Sequence, residues 1–102
     1  MDGVRLMRNN VGTAQTHDGR FIRFGLCEGS SDLIGWTEYV VQPEDVGRRI
    51  AVYTAIEIKT PRGRATCKQR AFIDAVRRAG GISGIARSPN DALSILEDFH
   101  RA

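Results

Sequence analysis

Lysine is nearly missing from this chain. Of its 102 residues 15 are basic, and all of these except Lys59 and Lys68 are arginine. Cysteine is scarce too. Cys27 and Cys67 stand far apart with no CxxC spacing, so two reduced thiols are expected rather than a metal or redox pair. The two histidines, His17 and His100, form no HxxxH or HExxH pair and are not expected to ligate a metal. No apolar run approaches the roughly 18 residues that a membrane span needs. No charged-then-apolar leader opens the chain, so neither a membrane partner nor secretion is expected.

What is there is an ordinary soluble composition, 41% hydrophobic and 26% charged, with a formal net charge of +3. The length suits one domain, spanning residues 1–102. Arginine grips phosphate with a bidentate fork where lysine acts as a point charge. The arginine skew therefore favours a nucleic-acid partner, although genomic base composition can produce the same skew.

No internal repeat, low-complexity tract or linker interrupts the chain. Residues 1–16 predict a short strand through Val4, Leu6 and Val11 that leads into a polar turn. "HDGRFIRFGL" places a turn at Asp18-Gly19 between strand-like flanks, which is a hairpin signal. "CEGSSDLIGWTEYVV" reads as a Gly/Ser loop running into a strand that starts near Asp32, and "QPEDVGRR" as a loop broken by Pro43 and Gly47. "IAVYTAIEIKT" is the longest β-rich run and stops at Pro61-Arg62-Gly63.

Thr66 to Ala79 predicts a helix. Thr66 and Gln69 match a T-x-x-Q capping box, Phe72, Ile73, Val76 and Ala79 keep helical spacing, and Gly80-Gly81 stops it. "ISGIAR" is a short strand. Ser88, Pro89 and Asp91 open a last helix whose Ala92, Leu93, Ile95, Leu96 and Phe99 are expected on its buried side. The order β-β-β-β-α-β-α contains a βαβ crossover. Part of the sheet should then be parallel, in an α/β architecture with a mixed sheet flanked by helices.

The stretch "YTAIEIKTPRGRATCKQ" is not ordinary strand filler. Alternation puts Val52, Thr54, Ile56 and Ile58 on one face, the apolar one, and Tyr53, Ala55, Glu57 and Lys59 on the other. Glu57 and Lys59 would then point the same way, about 7 Å apart at Cβ. Gln69 lies on the helix stripe with Phe72, Ile73 and Val76, so it faces the sheet near that strand end. Asp32 follows the Gly29-Ser30-Ser31 loop. Two carboxylates and a lysine converging on a strand end suit Mg²⁺, a hard cation that takes one or two protein carboxylates plus water and substrate phosphate. The alternatives stay open. E-x-K is commonly a solvated ion pair, Gln69 fits a purely capping role equally well, and Asp32 also fits a plain loop end.

"GSSDLIG" followed by "IEIKTPRGRATCKQRAFIDAVRRAGG" resembles the PD-(D/E)XK nuclease superfamily and, within it, the VRR-NUC (virus-type replication-repair nuclease) family. "RNNVGTAQTHDGRFIRFGL" is similar to its stand-alone phage and bacterial members. The resemblance implies a restriction-endonuclease-like fold and metal-dependent hydrolysis of DNA phosphodiesters in the cytoplasm of a bacterial or phage-infected cell. It implies that Asp32, Glu57 and the Ile58 carbonyl hold Mg²⁺ or Mn²⁺. Lys59 would position the attacking water, with Gln69 in support. It also implies a homodimeric enzyme acting on branched or Holliday-junction DNA, whereas the related domain of the Fanconi-associated nuclease acts as a monomer on flaps. Many relatives carry a helix with an acidic residue ahead of the segment matching "VRLMRNN", for which Asp2 is a poor match.

For DNA contacts, Arg8, Asn10, Arg20, Ser30, Lys68 and Arg70 are the candidates, Arg8 and Arg20 first, because those two lie nearest in sequence to the Gly/Ser loop. Such phosphate contacts give salt-sensitive affinity with little sequence preference. The competing expectation is a non-catalytic DNA-binding module or assembly subunit that retains the fold. An arginine-rich protein-interaction domain stands third.

Overall fold

The computed structural model describes residues 2–101. Its elements are β1 (Val4–Arg8), β2 (Gly12–Gln15), β3 (Phe21–Phe24), β4 (Leu33–Thr37), a 3-10 turn (Pro43–Asp45), β5 (Thr54–Ile58), α1 (Cys67–Arg78), β6 (Ile82–Ala86) and α2 (Pro89–Arg101). Within this small α/β domain, contacts gather into two units, Met1–Tyr39 and Val40–Ala102. Among the described residues the strands form three two-stranded ladders, two antiparallel and one parallel.

In the first unit the hairpin forms as its turn chemistry dictates. Gly19 takes φ +86, a left-handed conformation that other residues resist, and β2 and β3 pair from Gly12↔Phe24 to Gln15↔Phe21. The turn is reinforced around Asp18, which accepts hydrogen bonds from the Thr16 hydroxyl and the Arg20 guanidinium. These hold its carboxyl below the ordinary range. Its contribution is therefore present above the usual aspartate range and fades as falling pH crosses the lowered value.

One strand more is present than expected. The first segment breaks at Asn9-Asn10, so that β1 pairs with β4 while β2 pairs with β3. Gly35 makes the β1–β4 approach possible, because a Cβ there would stand 1.8 Å from the Arg5 carbonyl oxygen. Gly35→Ala is expected to destabilise this unit by about 3 kcal/mol or more, as overpacking against backbone that side-chain rotation cannot relieve. Chemical denaturation followed by circular dichroism checks it, and a wild-type midpoint would count against this packing.

The second unit is the βαβ crossover. β5 and β6 run parallel in register from Thr54↔Ile82 to Ile58↔Ala86. Helix α1 starts and stops where its signals lie. Thr66 is its N-cap with a complete capping box, and Gly80 follows the C-cap at φ +98. Its Ile73 and Val76 are buried, as are Ser83 and Ala86 of β6. Ser83 satisfies its hydroxyl by donating to the Ala55 carbonyl at 2.6 Å. Helix α2 opens on Ser88, whose Oγ accepts from Asp91 N–H at 3.1 Å, while Asp91 reaches back to Arg87 N–H at 2.8 Å.

Three expectations need correcting. The β-rich run is strand only from Thr54 to Ile58. The face assigned as apolar is not uniformly covered: Ile56 is half-buried, yet Thr54 is exposed and Ile58 is 70% exposed. The α2 stripe is also only partly buried, since Leu93, Leu96 and Phe99 remain exposed. The cause is common to the last two. A two-stranded ladder presents too little area to cover a whole strand face or a thirteen-residue helix.

Candidate active site

In the second unit, the end of β5 carries the charges. Lys59 N–H donates to the Ala86 carbonyl at 3.0 Å, so the backbone stays on the ladder one residue beyond the strand. Alternation then aims Glu57 and Lys59 the same way, and Lys59 Nζ lies 3.6 Å from Glu57 Oε2. The two side chains are only 20% and 31% exposed, respectively, so water screens this pair less than a surface pair.

Gln69 joins them from the first turn of α1. Its Oε1 accepts from Thr66 N–H at 2.9 Å, and its Nε2 donates to Glu57 Oε2 at 3.3 Å. The two roles left open by the sequence are thus both filled, one by each end of the amide. Glu57 Oε2 faces two donors, while its Oε1 has no hydrogen-bond partner among the described residues. That free oxygen, beside the carbonyl-bearing Ile58 at the strand end, is a hard donor suited to a divalent cation.

A cavity of about 270 Å³ opens here, lined by Ala55, Glu57, Lys68, Gln69, Phe72 and Ser83 among others. Small Ala55 leaves the space. Lys68 borders the cavity, whereas Arg70 is exposed on the same first turn. Sequence reasoning did not single out Ser83, which sits opposite Ala55 in the β5–β6 register and ties the two strands beneath the site.

In the first unit, Asp32 immediately precedes β4, with its backbone carbonyl accepting from Asn9 N–H at 2.8 Å. Asp32 is exposed and is among the residues lining a larger cavity, about 770 Å³. Arg8 pairs with Leu33 in the ladder, directly beside this point. The Gly/Ser loop is fixed by Asn9, not by Asn10. Asn9 Nδ2 donates to Ser30 Oγ at 2.7 Å and to the Ser31 carbonyl at 2.9 Å, and its Oδ1 accepts from Leu26 N–H at 2.9 Å. Ser30 is correspondingly half-buried and donates to the Cys27 carbonyl, while Asn10 is exposed. No local pattern links Asn9 to a loop 21 residues away. Arg20 lies at the hairpin turn, ion-paired with Asp18 at 2.9 Å. Arg23 is the hairpin arginine that borders the cavity.

Both cysteines are free. Among the described residues no group of three or more His, Cys, Asp or Glu gathers to hold a metal, and no helix is long and apolar enough to cross a membrane. The family model described as the VRR-NUC domain matches residues 6–90, a span that includes Asp32, Glu57, Lys59 and Gln69. No curated protein and no solved structure matches the chain.

Proposed function

The chain belongs to the VRR-NUC family, a family of nuclease domains, and from that premise we propose that it is a metal-dependent, structure-selective endonuclease hydrolysing phosphodiester bonds of branched or Holliday-junction DNA. The observation supporting this most directly is the meeting of Glu57, Lys59 and Gln69, with one carboxylate oxygen of Glu57 held by two donors and the other left free. In this reading Glu57 and the Ile58 carbonyl would hold Mg²⁺ or Mn²⁺, the ion for which the family resemblance also names Asp32. Such an ion, when bound, polarises the phosphate and lowers the pKa of water.

The chain's own residues do the rest. Gln69 fixes the Glu57 carboxylate from a capped, rigid helix turn. Lys59 brings a positive charge to the strand end, where it orients the attacking water and offsets charge developing on the phosphorane. Arg8, Asn10, Arg20, Ser30, Lys68 and Arg70 grip the DNA backbone. The enzyme works in the cytoplasm as a homodimer, which would cover apolar side chains such as Ile58 (70% exposed) and Val46 (88% exposed).

Incubation with a labelled four-way junction, a flap and a plain duplex, with and without Mg²⁺, tests the reading. Metal-dependent cutting of a branched substrate in preference to the duplex is expected. Binding of these DNAs with no cutting at millimolar Mg²⁺ or Mn²⁺ would instead mark a non-catalytic DNA-binding module.

A further inference from the structure

The loop joining β5 to α1 lies wholly in the second unit, begins at Lys59 and ends at the Thr66 cap, so both of its ends belong to the site above. We propose that this loop is a preformed clamp for the DNA backbone, in which Arg62 and Arg64 each take a phosphate and Arg87 is the residue that positions them. This rests on the nuclease reading and adds to it a part of the chain that holds the strand. Charge points the same way. Between Glu57 and Asp74 the chain carries Lys59, Arg62, Arg64, Lys68 and Arg70 and no acidic residue. The first turn of α1, where acidic side chains are the favourable choice, has none. A run of one sign repels itself and draws anions.

The loop is tied down at several points. Pro61 fixes φ at the second position of a four-residue turn, which Gly63 N–H closes by donating to the Thr60 carbonyl at 3.1 Å. Arg87 Nη2 donates to the Gly63 carbonyl at 2.8 Å, a bond across 24 positions that ties the turn to the end of β6. Arg87 is itself fixed, since its N–H donates to Asp91 Oδ2 at the start of α2. Arg62 and Arg64 flank the anchored glycine. Both are exposed and make no hydrogen bond or ion pair among the described residues, so their guanidinium donors are open to an anion. Chain geometry keeps them near the chemistry. Arg62 stands three residues past Lys59 and Arg64 two before Thr66, backbone spans of at most roughly 10 Å and 7 Å. A backbone already ordered loses little conformational entropy when DNA arrives, which favours contacts made from it.

The test measures binding of a labelled four-way junction by fluorescence anisotropy across a salt series, using the Lys59→Ala protein in Mg²⁺ so that the strand stays whole. Arg62→Gln and Arg64→Gln should each reduce the slope of log affinity against log salt by about 0.9, the equivalent of one phosphate contact. Each should weaken binding roughly fivefold at about 0.15 M salt. Arg87→Met, which removes the donors but keeps an unbranched side chain, should weaken binding about as much while the loop arginines are present. In the background carrying both Arg62→Gln and Arg64→Gln it should change affinity by less than about twofold, as a residue acting only through them must. All three side chains are exposed, so the substitutions leave the core intact. Unchanged slopes for Arg62→Gln and Arg64→Gln overturn the clamp, while the nuclease reading stands. An equal loss on Arg87→Met in both backgrounds would make Arg87 a phosphate contact in its own right and overturn its positioning role. Failure to bind any DNA, in the wild-type protein as well, removes both readings together.

Discussion

Lys59→Ala is expected to slow cleavage of branched DNA by on the order of 10²–10⁴-fold, the usual contribution of a positioned proton-handling or charge-stabilising side chain, while DNA retention stays near wild type. The backbone bond from Lys59 N–H to Ala86 does not involve the side chain and survives the change. The pair with Glu57 is partly shielded but still reached by water, so its removal should lower stability by about 1 kcal/mol or less. A large loss of activity with a small shift in Tm therefore separates a chemical role from a structural one. Lys59→Arg sharpens the test. A guanidinium restores the charge beside Glu57, but it is bulkier, planar and permanently protonated. It should recover stability without recovering the rate. Single-turnover cleavage alongside gel retardation checks both variants, and an alanine mutant that cuts normally would rule out the assigned role of Lys59.

How much of this was legible in the sequence depends on the range of the interaction. Signals that act within one turn were readable. Thr66 with Gln69 and Ser88 with Asp91 are N-terminal caps built from contacts three residues apart, and both helices open at them. Asp18-Gly19 fixes its hairpin through a left-handed glycine. The period-two alternation of β5 puts Glu57 and Lys59 on one side, where the two side chains pair. Interactions that depend on which strands meet were not readable. Splitting residues 4–15 into two strands follows from the pairing of β1 with β4, whose partner residues lie more than twenty positions on. The anchoring role of Asn9, the Ser83–Ala55 tie and the cavity position of Arg23 all arise from such pairings. Coverage failed for a further reason. Hydropathy marks which side chains favour burial, but only the partner's area decides how many of them are covered. That is why Ile58 and Leu93 stay in solvent.

The division of labour within one amide leads to the second large effect. Gln69→Glu should preserve helix α1 while damaging the site. A glutamate at this position completes the capping box as well as glutamine does, and its charge suits a helix N-terminus. Stability should therefore hold or rise slightly. At Glu57 the change is severe, because a donor 3.3 Å from Oε2 becomes a second carboxylate. Like charges at that separation disfavour joint ionisation, so the pair takes up a proton at higher pH than an isolated glutamate does. Cleavage near neutral pH should fall by roughly 10- to 100-fold, and the acid limb of the pH–rate profile should move upward. Thr66→Ala provides the converse. It removes the hydroxyl that accepts from Gln69 N–H at 3.1 Å and should lower stability by about 1 kcal/mol. The Gln69–Glu57 contact is untouched, so the rate should change little. The two variants thus exchange effects, one losing rate without stability and the other stability without rate. If Gln69→Glu left the rate unchanged, Gln69 would be a capping residue alone, and its bond to Glu57 would have no part in the chemistry.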